Sequence, residues 1–150
     1  MNNTKILDLS YTISLDEVEC EILKNGEPTG WIWKLADIAH PQVVAFRNEQ
    51  ERKASRRAAE LEAKRASGRK IKPEDVEETD SRRELMAAIA ARVLYFPDVN
   101  LGLRDIPDPV VYSPEMALRL LSHPKMAWLF NSVVERLNEE KLFTKAEASS

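Results

Sequence analysis

The side chains able to do chemistry in this chain are few and poorly grouped. Two histidines, His40 and His123, each stand directly before a proline, where a chain leaves one element and opens a helix. Neither has a second ligand at the spacing a zinc site uses, so both are expected to cap helices or lie at the surface. Cys20 is the single cysteine. It has no internal disulfide partner and sits in an alternating pattern that buries it, with nothing nearby in the sequence to lower its pKa. The four glycines form no phosphate-cradling loop, and no serine occupies a G-x-S-x-G elbow. Glu74, Asp75, Glu77, Glu78 and Asp80 make a carboxylate run without histidine, the pattern of a solvated linker. No catalytic residue, metal site or cofactor is assigned, and the chain reads as a binding protein.

Charge is the second signal. The net charge of −3 conceals an asymmetry: residues 47–72 hold ten Lys/Arg against four Asp/Glu, a local balance of +6, so the remainder carries −9. A cationic segment of this kind suits nucleic acid, a protein partner of opposite sign, or plain solvation. Arg52, Lys53, Arg56 and Arg57 lie close on one helical sector of it. It holds no aromatic to stack on bases and has glutamates interleaved, which disfavours nucleic acid. Its alanines at 54, 58, 59, 63 and 66 allow another helix to come close, which favours protein docking.

Positioning those residues requires a body. At 150 residues, with 43% apolar and 31% charged side chains, the chain fits one domain with a moderate core, and no apolar run reaches the roughly 18 residues of a membrane span. Residues 5–14 alternate, with Leu7, Leu9, Tyr11 and Ile13 on one side, and predict a half-buried strand. Val18, Cys20 and Ile22 predict a second. After the turn segment K-N-G-E-P-T-G, the run W-I-W-K-L (31–35) predicts a third, with Trp31 and Trp33 in the core. These form a β-meander over residues 1–38.

Residues 41–67 predict a charged helical arm, anchored by Val43, Val44 and Phe46 and then holding one large apolar residue, Leu61. Residues 68–80 read as a linker, 81–143 as a helical part and 144–150 as a frayed tail. Leu85, Met86, Ile89, Val93 and Phe96 fall at helical spacing, and residues 98–112 predict an ordered loop pinned by its apolar side chains. In Y-S-P-E-M-A-L-R-L-L-S-H-P-K-M-A-W-L-F-N-S-V-V-E-R-L, Ser113 caps a short helix and His123-Pro124 divides it from a last one. Met126, Leu129, Phe130, Val133, Val134 and Leu137 give that last helix a broad apolar stripe. The expected fold is α+β: a small antiparallel N-terminal sheet of about three strands packed on a C-terminal helical bundle, with a long charged helix projecting from the body.

The order of parts resembles the tail assembly chaperones of long-tailed bacteriophages. The likeness rests on W-I-W-K-L (31–35), H-P-Q-V-V-A-F-R-N-E-Q-E-R-K (40–53), E-L-M-A-A-I-A-A-R-V-L-Y-F (84–96) and the Ser-Pro-Glu and x-Pro pattern of residues 112–137, followed by Phe143. The loop from Pro97 to Val111 has no counterpart in it. The resemblance implies a non-enzymatic assembly factor in the cytoplasm of the infected or lysogenic host, absent from the finished virion. Its partners would be the tape measure protein and the tail tube protein, with self-association expected. Phe46, Arg52, Arg56, Arg57 and Leu61 are the expected partner contacts. A small nucleic-acid-binding accessory protein and a structural tail or connector subunit are the alternative readings.

Overall fold

Asn25 and Gly26 both take positive φ, 51° and 83°, the conformation of the two-residue hairpin turn that matches the twist of its flanking strands. They join strand β1 (Glu17–Lys24) to strand β2 (Glu27–Ala36) in an antiparallel ladder running from Glu17↔Ala36 to Lys24↔Glu27, with an irregularity between Glu21 and Leu23. A computed structural model describes residues 6–68, 81–139 and Phe143. The fold is α+β, with a three-stranded antiparallel sheet of order β1-β2-β3. Helices α1 (Pro41–Ala66), α2 (Ser81–Ala90), α3 (Pro114–Leu121) and α4 (Ala127–Leu137) complete it.

Strand β3 (Val93–Tyr95) pairs with β2 through Lys34↔Tyr95 and Leu35↔Val93. This corrects two expectations. The third strand comes from residues 93–95 and not from residues 5–14, so the N-terminal part is a hairpin and no meander. The helix expected to carry Val93 and Phe96 stops at Ala90. Residues 6–13 lie outside the sheet: Ser10–Thr12 is a single 3-10 turn, and Leu7, Leu9, Tyr11 and Ile13 are 77%, 49%, 67% and 68% exposed. Alternation supplies one oily face, but a strand also needs a ladder partner.

One sheet face holds Val18, Cys20, Ile22, Trp31, Trp33, Leu35 and Val93, all buried. Trp33 stacks on Phe96 at 4.9 Å between ring centroids, while Trp31 meets both edge-on, and the Trp31 Nε1 proton goes to Pro97 O at 3.1 Å. Both tryptophans are therefore core, as their alternation predicts. Helix α4 covers β1, burying Leu129 and Val133, and the Ser132 hydroxyl accepts the Leu23 N–H at 2.9 Å where the ladder is irregular. Phe130, Val134 and Leu137 are only half-buried, so the working stripe of α4 is narrower than the sequence suggests.

The capping chemistry is local and as expected. Ser113 accepts the Met116 N–H at 2.9 Å at the start of α3. His123 Nδ1 accepts the Lys125 N–H at 3.1 Å before the 3-10 turn Pro124–Met126 that leads into α4. The long loop before α3 is pinned by Ile106 and Val110, both essentially inaccessible, by a Val99↔Val110 bridge, and by Asp108, which accepts the Leu101 and Gly102 N–H groups.

Candidate functional site

His40 Nδ1 accepts the Gln42 N–H at 3.1 Å and opens α1, with Pro41 in the first turn. The helix then runs 26 residues, about 39 Å. Val43 is its one buried residue; Val44, Phe46, Glu49, Leu61 and Lys64 are half-buried and the rest are exposed. Residues 47–66 thus leave the body as an arm. Alanines and charged helix formers sustain it locally, Glu49 bonds Arg52 at 2.8 Å, and Ser67 with Gly68, at φ 75°, ends it.

Where the arm meets the body there is an open cleft of about 1250 Å³. Val43, Phe46, Gln50, Ala54 and Arg57 line it from α1, Leu85, Ala88 and Ile89 from α2, and Val134 and Leu137 from the end of α4; Ile38 joins them from the loop before α1. Ile38 and Leu85 are 56% and 52% exposed, so two large apolar side chains stand in water at its margins. Arg47, Arg57, Arg83 and Arg92 lie around this apolar surface, with Glu51 and Glu84. One end is tied shut by Gln42 Nε2, which donates to Ala91 O at 3.3 Å, and by Arg92 Nε, which donates to Ala36 O at 2.9 Å.

The five expected contact residues separate in space. Phe46 and Arg57 line the cleft. Leu61, four residues beyond Arg57, continues the same helical face and is half-buried. Arg52 and Arg56 do not share that face, which corrects the single basic sector read from the sequence: they border a shallow hollow with Asn48, Glu51 and Ser55 on the other side of the helix. The sequence reading missed Ile38 and Leu85. Spacing alone groups Leu85 with Met86 and Ile89 on one helical stripe, and its share in the cleft with Phe46 depends on how α1 and α2 meet.

Other chemistry-bearing groups are accounted for locally. Burial pushes the Cys20 thiol up to about 11. The His123 Nε2 bond to Asp105, 2.9 Å, holds that carboxyl below its ordinary value. Among the described residues no three of His, Cys, Asp and Glu gather as a metal site, and no described helix is long and apolar enough to cross a membrane. The acidic run at residues 74–80 and the linker and tail readings lie outside the described residues. No family model matches the chain, and no curated protein or solved structure is found to be similar to it.

Proposed function

We propose that this chain is a tail assembly chaperone of a long-tailed bacteriophage. In this reading it acts without catalysis in the host cytoplasm, holds helical segments of the tape measure protein until the tail tube protein replaces it, and is left out of the virion. The observation that supports this is the cleft at the foot of the arm. A long helical client with an apolar stripe needs a groove that buries that stripe while its polar side stays wet. Phe46, Ile38 and Leu85 offer oily contacts in a cleft open to solvent, the alanine at 54 permits close approach, and the neighbouring arginines favour an acidic flank on the client.

The test is binding of helical fragments of the tape measure protein encoded in the same phage genome, measured by calorimetry. Phe46→Glu/Leu85→Glu is expected to weaken binding at least about tenfold, because a charge at the centre of an apolar contact is left desolvated. Arg52→Ala/Arg56→Ala, on the other side of α1, is expected to cost less than about threefold, as rim charges do. Fragments that bind the first variant as tightly as the native chain would remove the cleft from the mechanism. Tight, steeply salt-dependent binding of DNA in place of client would favour the nucleic-acid reading instead.

A further inference from the structure

Two apolar surfaces lie uncovered, the cleft and residues 6–13. The root of that N-terminal segment is fixed at the cleft's edge twice over. Leu15 N–H donates to Phe143 O at 2.7 Å, and the Phe143 ring lies 5.6 Å from the guanidinium of Arg92, a cleft residue. Asp37 N–H donates to Asp16 O at 2.8 Å, and the next residue, Ile38, is itself in the cleft lining. The dimensions agree as well. Leu7 to Ile13 spans about 20 Å when extended, and the cleft wall from Val43 to Arg57 along α1 spans about 21 Å. With Leu7, Leu9, Tyr11 and Ile13 on one side of an extended segment, the oily side can face the cleft while Asp8, its one charge, is left toward the surrounding arginines.

We propose that the N-terminal segment of a second copy of this chain fills the cleft, in reciprocal exchange, giving a two-fold dimer. A second copy is the occupant because the segment of the same chain, though rooted at the cleft's edge, lines no part of it and leaves all four residues exposed. Exchange from roots that adjoin the clefts closes on itself under a two-fold axis, so a dimer forms in place of an open chain of subunits. The short turn at Ser10–Thr12, held by Thr12 Oγ1 on Leu9 O and Asp8 on the Ser10 N–H, opens to give the extended form. The exchange stands independently of the client reading; where both hold, the dimer keeps the cleft covered until client displaces the segment.

The test uses the whole chain with no client present. Sedimentation velocity from about 1 to about 100 μM, the range of moderate dimers, is expected to show the mass doubling. Leu7→Asp/Tyr11→Asp, at exposed positions that cannot harm the fold, is expected to stay monomeric with an unchanged thermal melt. Tyr11→Cys and Leu85→Cys, made as separate proteins, mixed and oxidised, are expected to give a disulfide-linked pair, since Cys20 is buried. A native chain that stays monomeric at the highest concentration overturns the proposal, as does a dimer that survives Leu7→Asp/Tyr11→Asp. An internal cross-link in the Tyr11→Cys/Leu85→Cys double variant, with no pair formed between the single variants, assigns the segment to its own cleft and overturns it too. Client binding retained by the Leu7→Asp/Tyr11→Asp variant would show that the chaperone reading stands or falls separately.

Discussion

Cys20 and Asp105 show how single residues here serve stability without site chemistry. The Cys20 thiol is surrounded by the sheet face and α4, and desolvation raises its pKa from 9.0 to about 11. The thiolate is the reactive species, so at about pH 8 the native chain is expected to resist a thiol reagent and to react stoichiometrically once unfolded. Rapid labelling of the folded chain would contradict the burial. Asp105 lies on the surface with its folded pKa below 3.8, chiefly through the His123 hydrogen bond. A carboxyl depressed in the folded state adds stability above its unfolded pKa and loses it as pH falls through the folded value. Asp105→Asn is therefore expected to lower the urea midpoint at about pH 6 and to lower it progressively less as pH falls toward about 3, where the unfolded carboxyl is already largely protonated. An equal loss at both pH values would mean that the bond to His123 is not the source.

Helix α1 behaves as two elements in one. Its first turns are fixed by the His40 cap, by Val43 and by Gln42 on Ala91 O, whereas residues beyond Arg47 hold their helix by local propensity, which is weak in isolation. Amide exchange is expected to be slow in β2 and progressively faster along α1 past Ala54. Ala59→Gly, at an exposed position, should reduce arm protection by about 1 kcal/mol and leave β2 protection untouched. Equal protection of arm and sheet would show that something covers the arm.

This division was legible in the sequence, because one large apolar residue in 47–66 cannot make a buried face. The two strands of the hairpin were legible from the alternation of Val18, Cys20 and Ile22 and of Trp31, Trp33 and Leu35, but the turn is shorter than the K-N-G-E-P-T-G segment suggests, because Asn25-Gly26 turns the chain and β2 already begins at Glu27. Strand β3 was not: three residues follow ten helical ones, and Val93 and Phe96 fit the spacing of the preceding helix by chance. Residues 6–13 carried the reverse ambiguity, a strand period without a strand's partner. The cleft was half legible. Phe46 announced itself at the arm's root, but Leu85 and Ile38 join it only through the meeting of three separate segments.

At the scale of the molecule, the body is one cooperative core and the arm adds little to it. The sheet face, α3 and α4 share a single cluster through Trp33, Phe96, Leu120, Leu129 and Val133, all at 0% exposure. Leu129→Ala removes a side chain from its centre and leaves a cavity, so it is expected to cost about 2–5 kcal/mol. Phe130, the larger residue and by its spacing an equal candidate, is half-buried and is expected to cost less than Leu129. Leu61→Ala removes a half-buried leucine from the arm's outer half and is expected to cost under about 1 kcal/mol. Denaturant titrations of the three variants give the comparison directly: equal slopes with midpoints falling in the order Leu61, Phe130, Leu129 place the core under α4. A Leu61→Ala loss as large as that of Leu129→Ala would mean that the arm is part of the cooperative unit. In that case the helix that borders the cleft could not move to admit a partner without unfolding the body.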